Sequence, residues 1–159
     1  MRRKDKEITN PEEILRIIDS CEVLHLAMVD GDTPYIVPMN FGYTWEDEKL
    51  TLYFHGANEG RKLEILQKNS KVSFVMDCEH RLVTGELPCQ YSYEYASVMG
   101  EGRAEMVTDP QEKMNAMKII MKHLSGRDFD FNERLISIVT LIRLPVDSYT
   151  GKRKKMPQI

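Results

Sequence analysis

Cysteine is scarce in this 159-residue chain, with only three occurrences and no Cys-x-x-Cys pair. Cys21, Cys78 and Cys89 are odd in number and widely spaced, which argues against a disulfide framework and a ribbon-type zinc site. They read as reduced thiols. Cys78, His80 and Cys89 match no standard metal spacing, and no fourth ligand is evident. No apolar run approaches the ~20 residues that span a bilayer. The opening Met1-Arg2-Arg3-Lys4-Asp5 leads into polar sequence rather than an apolar signal segment, so a cytoplasmic protein without membrane contact is expected. Neither Gly-x-Ser-x-Gly nor Gly-x-Gly-x-x-Gly occurs, which leaves a serine-hydrolase elbow and a Rossmann dinucleotide site without support. Strong net charge is also missing, at −3 overall. Without residues 2–6 and 152–155 the body holds 14 basic and 24 acidic residues, or −10. An acidic body disfavours nucleic-acid binding, and basic ends this short suit solvent or a partner subunit better.

What remains is an ordinary folding composition, 42% hydrophobic and 30% charged, of a length that predicts one domain over residues 1–159. Three helix starts carry a capping residue with Pro or an acid in the first turn. Asn10-Pro11-Glu12-Glu13 opens the first, with Ile14, Ile17 and Ile18 on one face. Asn58-Glu59 opens the second, with Leu63 and Leu66 turned inward. Asp109-Pro110-Gln111-Glu112 opens the third, whose Met114, Met117, Met121 and Leu124 read as core packing. Elsewhere the period is two. Strands are predicted over 24–29, 35–44, 50–55, 72–76, 91–106 and 136–146, with Glu46-Asp47-Glu48 as a solvated hairpin connection. The segment 91–106 is long and contains Gly100 and Gly102, which favour a bend of the kind a barrel needs. The expected fold is α+β, a six-stranded mostly antiparallel barrel with flanking helices.

The richest stretch chemically is Leu52-Tyr53-Phe54-His55-Gly56-Ala57-Asn58-Glu59-Gly60-Arg61-Lys62, a strand running through a glycine-containing loop into a helix. Bare backbone at Gly56 and Gly60, a fresh helix N-terminus and two cations suit an anion. The loop departs from the P-loop pattern in its glycine spacing and in having Leu63 where Ser or Thr would hold magnesium. That disfavours a nucleoside triphosphate and leaves a monophosphate or an ordinary solvated helix start. His55 sits on the face opposite Leu52 and Phe54, expected to be accessible, either as a structural strand-end histidine or as a phosphate ligand and proton donor. Upstream, Pro38 removes a ladder donor and Gly42 uncovers backbone, so Pro38 to Phe41 reads as an edge that could meet a flat ring.

Together these residues resemble the pyridoxamine-phosphate-oxidase-like FMN-binding split barrels, and within them the 5-nitroimidazole-resistance flavoproteins. The likeness is carried by Met1 to Asp5, by Pro34-Tyr35-Ile36-Val37-Pro38-Met39-Asn40-Phe41-Gly42-Tyr43, by Leu52 to His55 with Gly60-Arg61-Lys62, by Tyr95-Ala96-Ser97-Val98 before Gly100-Glu101-Gly102, and by Thr150-Gly151-Lys152. The resemblance implies a homodimer of split barrels with FMN at the interface. It implies that Pro38, Met39, Asn40 and Phe41 line the isoalloxazine through backbone contacts, that His55, Asn58, Gly60, Arg61 and Lys62 surround the phosphate end, and that Ser97 and Val98 approach from the long strand. It further implies electrons from NADH or NADPH passing to a small organic acceptor such as a nitroaromatic, and for that reaction His55 is the candidate catalytic proton donor. A non-catalytic flavin- or haem-binding protein of the same fold, and a phosphate-ligand binder without redox chemistry, are the alternatives.

Overall fold

The computed structural model describes residues 3–155, so Met1 and Arg2 of the opening motif lie outside the described residues. In chain order come β1 (Glu7–Ile8), α1 (Pro11–Asp19), β2 (Val23–Asp30), β3 (Thr33–Asn40), β4 (Gly42–Glu46), β5 (Lys49–Gly56), α2 (Arg61–Lys68), β6 (Lys71–Val83), β7 (Ser92–Arg103), β8 (Glu105–Val107), α3 (Pro110–Ser125), α4 (Glu133–Ile136) and β9 (Thr140–Lys154). Every strand pairing is antiparallel. The expected class therefore holds, with nine strands among the described residues where six are predicted.

Two of the extra strands come from breaks that packing imposes, and the third, β1, is the unpredicted pair Glu7–Ile8, which joins the sheet by pairing Gly151 and Lys152 of β9. The sheet path runs β3-β2-β6-β7-β9-β5-β4. Its two ends, β3 and β4, are consecutive in the chain and joined by Phe41 alone, so the path curls round on itself as a barrel. The alternation over 35–44 hides this break. Phe41 is fully buried, and a Cβ on Gly42 would lie 2.6 Å from the Ile120 Cα of α3, so only glycine lets the helix seat there. The predicted strand 91–106 divides at Ala104, whose N–H donates to Ser70 O at 2.8 Å. A register shift between Glu101 and Gly102 precedes it, and a side chain on Gly102 would overlap Pro145 O. β6 runs on to Val83 past the predicted end at 76, because β7 offers a ladder through a shift between Cys78 and Arg81. β9 starts later and ends later than predicted, since it pairs β5 with its first half and β7 with its second.

Local signals explain the helices. Asn10 Oδ1 accepts from Glu12 N at 2.9 Å, and Asp109 Oδ1 from Glu112 N at 2.8 Å, as N-caps do. The second helix starts two residues later than predicted. Gly60, at φ 135°, precedes its first residue Arg61, while Asn58 is diverted to β9 and its approach: its Nδ2 donates to Ser137 O at 2.9 Å and its Oδ1 accepts from Thr140 Oγ1 at 3.1 Å. The connection at Asp47 and Glu48 has positive φ at both residues, the signature of a primed hairpin turn made without Asn-Gly. On α3 the methionine stripe is only half-buried, and the fully buried line is Ala116 and Ile120. Met117 and Leu124 pack against that small second core, and Met114 and Met121 are partly buried.

Candidate anion and ring site

The barrel brings β3, the end of β5 and the start of α2 to one place. Met39 on β3 is buried, and its Sδ accepts from Lys62 Nζ at 3.1 Å. A Cβ on Gly56 would lie 2.9 Å from that same nitrogen. Lys62 therefore lays its ammonium over bare backbone at the end of β5, half-buried, and among the described residues it forms no ion pair. Burial pushes the Lys62 pKa below its ordinary value, because an ammonium taken from water without a carboxylate is disfavoured. His55, next to Gly56, is half-buried rather than accessible. Its Nδ1 is buried with no hydrogen-bond partner. Burial first, then the Lys62 charge, lowers its pKa below 6.5. A buried orphan nitrogen, an unpaired ammonium and a glycine that leaves room for it together want an anion with acceptor oxygens. A bound phosphate fits these residues and would raise both pKa values again.

The sign of the pH effect follows. Unfolded His55 takes a proton near pH 6.5, whereas folded His55 resists until lower pH. The unfolded state then binds more protons, so the unliganded protein loses stability as pH falls below about 6.5. His55→Gln is expected to flatten the fall in Tm between pH 7.5 and 5.5, measured by thermal melts without ligand. An unchanged slope in the variant would place the titrating group elsewhere.

The other candidate residues separate into those near this centre and those apart from it. Arg61 leans away from the ammonium: Nη2 and Nε each lie 3.1 Å from Asp30 Oδ2, and the guanidinium stacks 4.6 Å over the Tyr35 ring. Pro38 is exposed on β3, a strand that pairs only β2, in keeping with its missing donor. Asn40 Nδ2 donates to Glu22 O at 3.0 Å. The Phe41 side chain is in the core, its ring 4.6 Å from that of His123, so only its backbone is available to a ligand. Ser97 pairs Lys152, eleven residues along β9 from Leu141, the partner of His55. Val98 is fully buried. One copy of the chain does not bring Ser97 and Val98 to Lys62. Asp30 and Tyr35, which hold Arg61, escaped sequence reasoning because nothing local ties them to a residue some thirty positions on.

The outer face of β3, β2, β6, β7 and β9 forms a groove of about 610 Å³ lined among others by His25, Ile36, Val75, Met99 and Tyr149. Ile36 and Met99 are more than half exposed there, at 59% and 52%. Among the described residues no helix is long and apolar enough to cross a membrane.

Residues 10–153 match the family model for pyridoxamine 5'-phosphate oxidase. A provisionally assigned 5-nitroimidazole antibiotic resistance protein from Bacteroides thetaiotaomicron is 36% identical, with a TM-score of 0.80 over 92% of this chain and 86% of that one. A flavocytochrome from Azotobacter vinelandii superposes with a TM-score of 0.79 at 19% identity, covering 100% of this chain and 74% of that one. An FAD and haem binding protein from Mycobacterium smegmatis does so at 0.81 and 16%, covering 95% and 74%. These last two share the fold. No curated protein sequence matches.

Proposed function

The chain belongs to the pyridoxamine 5'-phosphate oxidase family, and from that premise we propose that it is an FMN-dependent reductase, taking electrons from NADH or NADPH and delivering them to a small nitroaromatic acceptor. The observation that carries the reading is the half-buried Lys62 ammonium, unpaired over Gly56 beside the orphaned His55 Nδ1. Lys62, with the backbone around Gly56 and Gly60, would hold the phosphate, and Arg61 would add its charge from the Asp30 side. The exposed backbone edge at Pro38 to Phe41 would take the ring, and Asn58 would keep the loop in place through β9. FMN, when bound, supplies the two-electron chemistry between donor and acceptor. His55 would gain a proton as the phosphate offsets the Lys62 charge and, with Nδ1 held toward the phosphate, would donate to the acceptor from Nε2. The provisional nitroimidazole-resistance assignment of the Bacteroides relative favours a nitro group as that acceptor.

A second copy of the chain would cover the apolar outer face around Ile36 and Met99. In such a homodimer Ser97 and Val98 would serve the partner's site, which accounts for their distance from Lys62 within one copy.

Colour tests the reading. Purified protein given FMN should show a bound-flavin spectrum, bleach on anaerobic mixing with NADH or NADPH, and recover when a nitroimidazole is added. A protein that stays colourless with FMN sinks the assignment. Bound flavin that neither nicotinamide bleaches makes the protein a carrier, and a haem spectrum favours the haem-binding alternative.

Gly56→Ala separates binding from folding. The new Cβ meets only the far end of the Lys62 side chain, which can swing aside, so Tm should stay within about 2 °C while FMN affinity falls about tenfold. Calorimetry and thermal melts on the same variant check both halves.

A further inference from the structure

Lys71, at the start of β6, and Arg103, at the end of β7, face one another directly in the antiparallel ladder, and both are exposed on the outer face of the sheet. Among the described residues neither forms an ion pair. Like charges directly opposite across a ladder repel, so the pair costs stability until an anion lies between them. Asn69, at the end of α2, accepts from Lys71 N at 3.1 Å through Oδ1 and offers its Nδ2 as a further donor. All three residues line a cleft of about 620 Å³, a ligand-sized volume. The cleft is separate from the Lys62 site, because Lys62 meets Met39, which strand alternation puts on the opposite face of the sheet.

Register ties this cleft to the ring edge. On β3, Pro34, Ile36 and Pro38 share the outer face and pair Val29, Ala27 and His25. Ala27 and His25 pair Ser73 and Val75 of β6, which pair Glu101 and Met99 of β7. Pro34 lines the cleft of Lys71 and Arg103, Ile36 lines the neighbouring groove, and Pro38 begins the backbone edge assigned to the ring. Ala27, Ser73 and Glu101 border both spaces, so cleft and groove form one channel. From the Lys71 and Arg103 pair to the Val75 and Met99 pair, level with Pro38, is four residues of strand, or about 14 Å at ~3.4 Å per residue.

We infer that Lys71 and Arg103 hold the 2'-phosphate of NADPH, which makes NADPH rather than NADH the electron donor. The inference rests on the reductase reading above. In a nicotinamide dinucleotide the pyrophosphate lies only one ribose from the nicotinamide, too near to bridge the channel. The 2'-phosphate, on the far ribose, spans it when the molecule is extended. A guanidinium fork and an ammonium point charge together suit a dianionic phosphate monoester. Glu101, whose Oε1 accepts from Ser148 Oγ at 3.3 Å, and Asp147 also line the cleft. As acceptors they suit ribose hydroxyls and the adenine amino group, and their charge confines the phosphate to the cation pair. A second copy over Ile36 and Met99 would roof the middle of the channel and leave its cationic end at the rim.

Adenosine 2',5'-bisphosphate carries the phosphate in question without the nicotinamide, so it tests the site whether or not flavin is bound. Titrated by calorimetry into the full chain, it should bind about tenfold more tightly than 5'-AMP, and Lys71→Gln and Arg103→Gln should each remove most of that preference. In protein loaded with FMN, the same variants should raise the KM for NADPH about tenfold and leave that for NADH within about twofold. Without ligand, each variant should melt at or above the Tm of the unaltered chain, since it relieves the repulsion. The assignment is overturned by equal affinity for the bisphosphate and 5'-AMP, by inorganic phosphate binding as tightly as the bisphosphate, or by equal losses for NADPH and NADH. A Tm several degrees lower in either variant also overturns it, because the side chain would then already be paired in the folded protein. A chain that prefers the bisphosphate but takes up no FMN keeps the phosphate site and loses the reductase reading instead.

Discussion

Lys62→Ala is expected to weaken FMN binding by about 30- to 4000-fold and to leave riboflavin within about threefold. Removing one partner of a desolvated charge pair typically costs about 2–5 kcal/mol, and riboflavin lacks the phosphate that makes the pair. The ammonium is already half-buried over Gly56 with only the Met39 sulfur to meet, so it loses little water when an anion arrives. Arg61→Ala should cost less, because its guanidinium spends its donors on Asp30 and its face on Tyr35. The double variant should lose more than either single one. Titration of each ligand by fluorescence quenching checks the comparison. Equal losses for FMN and riboflavin would remove the phosphate role from this pair of residues.

Phe41→Ala should lower Tm by roughly 6–20 °C. Emptying a fully buried phenylalanine position costs about 3–5 kcal/mol, and about 2–4 °C is lost per kcal/mol in a chain of this size. Phe41 is 0% exposed, packs its ring at a 39° tilt against that of His123 and is the single link between β3 and β4. Its loss removes packing between the barrel and α3 at the point where the sheet path closes. Flavin affinity, measured well below the transition, should change far less than in Lys62→Ala, since the Phe41 side chain lies in the core. A normal Tm in this variant would mean that the ring is not the keystone its burial indicates.

The elements that sequence reasoning found are those whose causes are local. Asn10-Pro11 and Asp109-Pro110 carry their own caps, and Leu50, Leu52 and Phe54 carry their own period, so the helices and β5 lie close to where they are predicted. The second helix shows the limit of such reasoning. Asn58 has the chemistry of a cap, but Ser137 and Thr140, some eighty residues on, compete for its amide, and Gly60 takes the cap position instead. The break at Phe41 was invisible for the same reason, since the alternation of Tyr35 to Thr44 is uninterrupted and only α3 pressing on Gly42 cuts it.

The candidate site divides in the same way. The residue types around His55, Gly56, Gly60, Arg61 and Lys62 were legible because anion binding needs bare backbone and cations, which adjacent residues can supply. By itself the sequence determined the class of fold, the family and this cluster of chemistry. Tertiary structure decided which member of the cluster is poised. It turned Arg61 toward Asp30 and Tyr35, left the half-buried Lys62 with only the Met39 sulfur and, among the described residues, no carboxylate, left His55 Nδ1 buried without a hydrogen-bond partner, sent the Phe41 ring into the core and kept Ser97 remote. Burial and pairing are properties of what surrounds a side chain, and strands distant in sequence supply those surroundings.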